Sequence, residues 1–364
     1  MQVSVEAKSL AAAVKKAKAL VDGKPVHPML GCFKFQTLAS GALELVAYDM
    51  TTSIKIQIPA ETHTDGRVCI PGKEFSQIVG SLDGTVRLSA TKNKVTIECG
   101  ELRVNLPLIG SPDDYPTIGL PPDAGWESMD PKALVVALDS VSYAMSRDET
   151  RYQLAGVNID RDDMGYQCLT ATDGHRLATT LVASAGIETD GAIIPARAVS
   201  VFRDALLSCP GACVPKWQIT ATTASVRCVG IETTTRLIDG QFPNFRQIIP
   251  SEDTGSPITV SRDLLSAALR RILPMTGGTN LILLSAKDGR LNLSGRSESG
   301  EARDAIVIGD GQSCPEIGVN GQYIVDALSA TPDTVELRVT DDMSPIRLSA
   351  KDCDTIAVIM PMRK

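Results

Sequence analysis

The chain is short of aromatic residues. They make up 4% of its 364 residues, so a buried interior has to be filled by Val, Ile, Leu and Ala, which suits strands and close helix packing. Long apolar runs are also missing: no stretch approaches the roughly 18 to 20 residues that a bilayer span requires. The N-terminal MQVSVEAKSL alternates polar and apolar residues where a secretory signal would be continuously apolar. These features predict a soluble protein of the cytoplasm with no membrane partner. Cys32, Cys69, Cys99, Cys168, Cys209, Cys213, Cys228, Cys314 and Cys353 are odd in number and follow no fixed spacing, which reads as free thiols in a reducing compartment. G-x-x-x-x-G-K-[ST], H-E-x-x-H and C-x-x-C are all absent, so no phosphate-cradling loop, zinc helix or redox pair is present. With only His27, His63 and His175 as imidazoles, no metal and no cofactor are expected.

What is present is enough to fold. An apolar content of 43% excludes general disorder, and the length predicts two or three domains at roughly 150 residues each. The formal charge of −7 and isoelectric point near 5.2 argue against a phosphate-rich partner only on average, because a surface field depends on where the charges sit.

The chain repeats itself. IPGKEFSQIVGSLDGTVRLS begins at Ile70 and IPARAVSVFRDALLS at Ile194, which sets Pro71 and Pro195 124 residues apart. VNGQYIVDALSATPDTVELR from Val319 has the same apolar spacing without the proline. A second set of segments precedes these: VEAKSLAAAV from Val5, MDPKALVVAL from Met129 and VSRDLLSAAL from Val260. In all six the apolar residues fall three or four apart, which predicts six amphipathic helices over 8–21, 72–81, 130–146, 196–207, 262–273 and 320–330. Between them the pattern alternates. Ile54, Ile56 and Ile58, then Val86 and Leu88 with Val95 and Ile97, predict strands, the last two joined at Lys92-Asn93-Lys94. Val335, Leu337 and Val339 with Ile346 and Leu348 repeat that hairpin. The fold class is therefore α+β, in three tandem units of two helices and many strands. Boundaries are expected in the Pro/Gly-rich 119–125 and the polar 251–255, with domains over 1–120, 127–250 and 254–364.

The six helical windows hold eleven Lys or Arg against six Asp or Glu, net +5, which leaves −12 for the rest of the chain. Helices of this kind can be presented to a polyanion while the acidic remainder repels non-specific contact, although Lys and Arg also suit any solvated helix face. No bases are interleaved with aromatics, which disfavours a single-strand stacking platform.

Asp173 and His175, within Thr170-Ala171-Thr172-Asp173-Gly174-His175-Arg176-Leu177-Ala178, could be read as the general-base pair of a hydrolase. No Ser or Cys nucleophile in a recognisable elbow accompanies them. Asp49 lies 124 residues before Asp173, so the aspartate is expected to shape a turn common to the repeats, and Gly174 to Leu177 to be an elaboration of the middle copy.

Three motifs carry a family resemblance: Thr170 to Ala178, the run Leu-Ile-Asp-Gly-Gln-Phe-Pro-Asn-Phe-Arg-Gln-Ile-Ile-Pro at 237–250, and Val-Ile-Met-Pro-Met-Arg at 358–363. In order and spacing, and over the whole chain, the sequence resembles the bacterial DNA polymerase III beta subunit family, the sliding clamps. The resemblance implies three copies of the DNA-clamp domain, helices lining a ring and sheets outside, two subunits pairing head to tail. It implies no catalysis: the ring encircles double-stranded DNA without reading its sequence and tethers a polymerase at high effective concentration. The implied partners are the DNA polymerase III alpha subunit, a clamp loader, and other polymerases and repair proteins carrying clamp-binding peptides.

By the same resemblance those peptides dock in a cleft lined by Leu154, Thr172, Gly174, His175, Arg176, Leu177, Pro243, Gln247, Ile248, Asn320, Tyr323, Met343, Ser344, Val358, Met360, Pro361, Met362 and Arg363. Methionines re-pack around differing anchors, and His175, Arg176 and Arg363 are expected to hold polar ends at the rim. DNA contacts are implied for Lys24, Arg147, Tyr152 and Gln153, with Asp148 an acid beside the expected path. Lys15, Lys16, Arg197 and Arg203 join them from the helix count. The subunit interface is expected at Ile272 and Leu273, with Pro274 ending their helix. A partner-docking paralogue that does not support replication fits the same residues, whereas a third repeat disfavours a two-domain clamp.

Overall fold

The computed structural model describes residues 1–21, 25–119, 121–162, 164–182, 189, 191–209 and 213–363. They form two compact units: Met1–Lys132 with Arg197–Leu237, and Ala133–Ala185 and Thr189–Ala196 with Ile238–Lys364. The middle repeat thus contributes strands to both.

Six α-helices fall inside or within a residue of the predicted windows: α1 (Ala7–Ala17), α2 (Gly72–Val79), α3 (Pro131–Ser142), α4 (Ala196–Leu207), α5 (Arg262–Ile272) and α6 (Gly321–Leu328). Their ends follow capping rules. Ser261 accepts from Leu264 N at the start of α5, and Asn320 accepts from Gln322 N and Tyr323 N at the start of α6. Lys15 and Lys16 end α1 and Arg270 and Arg271 end α5, where cations suit the helix dipole. α5 ends at Ile272, just ahead of Pro274, as expected. Pro274 sits in the first turn of a 3₁₀ segment, Leu273–Thr276, where its missing N–H has no partner to lose.

In the first unit an antiparallel five-stranded sheet runs in the order Ala60–Thr64, Gln2–Glu6, Thr85–Ala90, Lys94–Cys99, Leu102–Pro107. An eight-stranded sheet runs Glu127–Ser128, Lys216–Ile219, Thr223–Cys228, Ile231–Arg236, Thr52–Ile58, Leu43–Tyr48, Cys32–Thr37, Arg67–Pro71. Leu10, Val14 and Ala17 of α1 and Phe75 and Val79 of α2 are buried between these sheets' residues in one core. Half of the protein's six phenylalanines sit there edge to face, Phe33, Phe35 and Phe75, with centroids 5.2 to 6.5 Å apart. Gly72 lets α2 approach: a Cβ there would lie 2.5 Å from Val21 Cγ1. Gly321 does the same for α6, where a Cβ would meet Ile282 Cδ1 at 2.3 Å.

The second unit repeats the plan. Its eight-stranded sheet runs Ala192–Pro195, Gly156–Arg161, Gln167–Thr172, Arg176–Val182, Cys353–Ile359, Ile346–Ala350, Thr334–Arg338, Pro257–Ser261. Its four-stranded sheet runs Gly300–Val307, Arg290–Ser297, Leu281–Lys287, Cys314–Asn320. The core gathers Leu265, Leu269 and Ile272 of α5 with Ile324 and Leu328 of α6.

Each eight-stranded sheet is made of four strands from one repeat and four from the next. In the first unit the joint is Ile231–Arg236 against Thr52–Ile58, in register Ile231↔Ile56. In the second it is Cys353–Ile359 against Arg176–Val182, in register Leu177↔Val358.

Candidate functional site

The three motifs that carry the resemblance converge on the joint in the second unit. Asp173 shapes the turn before Arg176–Val182: its Oδ1 accepts from His175 N at 2.9 Å and Arg176 N at 3.0 Å. Asp49 does the same for Thr51 N at 3.0 Å and Thr52 N at 2.7 Å. The aspartate is a turn-former common to two repeats, as expected from the spacing. Gly174 takes φ +88°, the left-handed region glycine tolerates, and Thr172 Oγ1 accepts from its N–H at 3.1 Å while donating to Arg176 O. His175 is exposed at the turn's tip, and its carbonyl accepts from Met360 N at 2.9 Å.

From Met360 onward the C-terminal segment bridges two sheets. Pro361 pairs with Val319, and Met362 N donates to Gly318 O at 2.7 Å. The segment is therefore hydrogen-bonded to the middle repeat through His175 and to the third through Gly318, with Met360, Pro361 and Met362 all partly exposed and Arg363 exposed.

Side chains on Arg176–Val182 alternate between two faces, and this separates the predicted lining residues. Leu177 and Val358, each 1% exposed, lie beneath Phe245 with Cys168. Phe245 belongs to the 237–250 motif, whose Pro243, Gln247 and Ile248 are exposed beside it. Arg176 points to the helix-covered face. Its Nε is 3.0 Å from Asp173 Oδ2, its Nη1 2.5 Å from Asp326 Oδ2 on α6, and its guanidinium lies 4.4 Å from the Tyr323 ring and 5.6 Å from that of Tyr143. The arginine expected to hold a ligand's polar end at the rim is instead 12% exposed and engaged by two carboxylates and two rings. Burial raises the Tyr143 and Tyr323 phenols above their ordinary range, with Arg176 pulling the other way.

Leu154 is buried at the end of a 3₁₀ segment, and Asn320 is held by its cap on α6. Met343 and Ser344 lie in a loop organised by Asp341, whose carboxylate is held below its usual range by the N–H groups of Met343 and Ser344 and the Ser344 hydroxyl.

The positions expected near DNA fare differently. Lys24 lies outside the described residues. Lys15 is exposed and Lys16 half-buried on the last turn of α1. Arg197 is paired with Asp49 at 3.0 Å, and Arg203 lies 3.7 Å from Asp204, so these two offer less charge to a phosphate than the helix count implied. Arg147 and Tyr152 are exposed and Gln153 is half-buried. Asp148 has a local purpose: it caps the 3₁₀ segment Glu149–Leu154 by accepting from Thr150 N and Oγ1, bonds that hold its carboxyl low.

Ile272, expected at the subunit interface, lies at the end of α5. Its side chain is 1% exposed, packed in the core against Gly295, where a Cβ would lie 2.7 Å from Ile272 Cγ2. Leu273 is half-buried on the same core. The cysteines are free thiols, as read from their spacing, Cys209 and Cys213 included. Burial pushes Cys32 up to about 11 and Cys69 and Cys228 to about 12, which leaves them poor nucleophiles.

Sequence reasoning missed Asp326 and Tyr143 around Arg176, and the packing of Phe245 and Cys168 on Leu177 and Val358. Asp326 alone left a signal, as a carboxylate one helical turn from Tyr323 on an otherwise uncharged helix.

The chain matches the DNA polymerase III beta subunit N-terminal domain over residues 1–119, its central domain over 128–244 and its C-terminal domain over 246–363. The beta sliding clamp of Caulobacter vibrioides is 26% identical with all of both chains covered, and that of Escherichia coli K12 is 23% identical, likewise over all of both. Among solved structures, the C. crescentus beta sliding clamp is 25% identical with a TM-score of 0.90, covering 100% of this chain and 99% of that one. The DNA polymerase III beta subunit of Thermotoga maritima superimposes with a TM-score of 0.91 at 22% identity, with the same coverage.

Proposed function

Since the chain belongs to the DNA polymerase III beta subunit family, it is a sliding clamp that makes that polymerase processive, and we propose that two copies close head to tail into a ring around duplex DNA. One observation carries this reading. Both internal joints pair the last strand of one repeat with the strand that closes the first, α-helix-containing half of the repeat before it: Ile231–Arg236 on Thr52–Ile58, and Cys353–Ile359 on Arg176–Val182. The same rule leaves two strands at sheet edges among the described residues, Leu102–Pro107 of the first repeat and Gly300–Val307 of the third. They are the strands that a third joint of this kind would pair, between two copies. An open edge invites pairing, and because the two edges differ, the contact is heterologous and generates a ring if the rotation closes. Ile272 and Leu273, at the end of α5 next to Gly300–Val307, are the interface candidates.

Three clamp domains over 1–120, 127–250 and 254–364 then supply helices toward the DNA, with Lys15, Arg147 and Tyr152 as exposed contacts and the half-buried Lys16 beside Lys15. Phosphate contacts of this kind let the ring slide. Partner peptides dock over Leu177, Val358, Met360 and Met362, with His175 and Arg363 at the rim. The occupants are the polymerase's alpha subunit and other polymerases and repair proteins, an ATP-dependent loader opens the ring, and the clamp itself catalyses nothing. It acts in the cytoplasm.

Light scattering and DNA retention test the ring together. A mass near twice 38.7 kDa, with retention after loading on nicked circles and loss from linear ends, is the expected result. A monomer, or equal loss from both DNAs, overturns the ring and moves the function to a partner-docking paralogue.

A further inference from the structure

We propose that the docking groove continues past Leu177 and Val358 into an adjoining pocket that holds the segment flanking the docking motif of the same partner peptide, with one of its acidic side chains on Arg347. The inference rests on the cleft reading above and extends it.

The continuity is geometric. Leu177, Thr179 and Leu181 alternate onto one face of their strand, opposite Val358 and Ile356 of the neighbouring strand. Thr179, Leu181 and Ile356 line a pocket of about 600 Å³, walled by Phe245 and Ile249. Phe245 belongs to both places, since it packs on Leu177 and Val358 and lines the pocket. From Leu177 to Leu181 the strand advances about 13 Å, or roughly four residues of extended peptide at about 3.3 Å each. A peptide seated over Leu177 that continued along this face would enter the pocket.

Arg347 supplies the chemistry. It pairs across the sheet with Val358 and so stands where cleft and pocket meet. It is 5% exposed; Nη1 donates to Pro250 O at 2.9 Å and Nη2 to Glu252 Oε1 at 2.6 Å, but its buried Nε has no acceptor. Its carboxylate partner, Glu252, is 77% exposed and screened by water. A buried guanidinium with an unmet donor and a weakened counter-ion is suited to a carboxylate, which takes such donors in short, charge-assisted bonds.

The corresponding joint of the first unit shows that this is not a feature of the architecture alone. A pocket of about 410 Å³ lies there too, but Glu232 faces both of its cations, Lys55 at 3.5 Å and Arg227 at 2.8 Å. None of its lining atoms is among the buried groups without a partner.

Fluorescence anisotropy tests the extension on the full-length clamp. The probes are a labelled peptide carrying only a clamp-binding motif and the same peptide lengthened by four residues, one of them Glu, at either end. At least one lengthened probe is expected to bind about tenfold tighter, the worth of one charge-assisted bond. Arg347→Met should cancel that gain, and so should Leu181→Trp, which fills the pocket from an exposed position; both should leave the short probe's affinity unchanged. No gain from either extension, or a gain that survives Leu181→Trp, overturns the pocket while the cleft stands. Failure of the short probe to bind the unaltered clamp overturns the cleft, and the pocket with it.

Discussion

At the scale of single residues, Arg176 decides how the docking region is held. Its guanidinium ties the turn at Asp173 to Asp326 on α6, with the Tyr323 and Tyr143 rings against it. Removing one member of a shielded ion pair leaves the others uncompensated. Arg176→Ala is therefore expected to lower unfolding stability by about 2 to 3 kcal/mol, read as a lower urea midpoint. An unchanged midpoint with weakened peptide binding would return Arg176 to the rim. The motif containing Arg176 was plain in the sequence, but not which way its side chain points. That follows from strand alternation and from α6 lying on one face, a contact between residues 150 positions apart.

Among elements, the terminal segment after Ile359 is the one that joins a sheet of the middle repeat to a sheet of the third, through Met360 N on His175 O and Met362 N on Gly318 O. Both bonds use the backbone, so side chains can be changed without undoing them. Met360→Ala with Met362→Ala should weaken a clamp-binding peptide by about tenfold or more, the usual loss when anchor contacts are truncated, while far-UV circular dichroism and the urea midpoint stay near those of the unaltered protein. Equal affinity would show that the methionines only close the sheet. The six helices were legible because their apolar spacing, caps and prolines agree. The end of α5 before Pro274 was legible too, but the 3₁₀ turn Leu273–Thr276 that follows was not, since periodicity does not show how the chain continues past a proline.

For the whole molecule, charge is arranged by helix and not by total. α1 carries Lys8, Lys15 and Lys16 with no acid among its residues, within a chain of net −7. Lys15→Glu with Lys16→Glu is expected to shorten retention on nicked circular DNA and flatten its salt dependence by roughly two phosphate contacts, without altering the dimer mass. Retention unaffected by the reversal would remove α1 from the DNA-facing surface. Arg197, tied to Asp49, should contribute less to the same measurement than either lysine.

Three things were determined by the sequence alone: the threefold repeat, the six helices, and the turn aspartates 124 residues apart. Each is local, set by spacing or by a side chain bonding its own turn. The tertiary structure decided the rest, because it alone brings distant residues together. It packed Ile272 into the core, seated Arg176 between two carboxylates, joined strands of different repeats into single sheets, and left Arg347 buried with a donor unmet. Strand pairing between segments more than a hundred residues apart depends on which edges meet after folding, and periodicity along the chain carries no record of that.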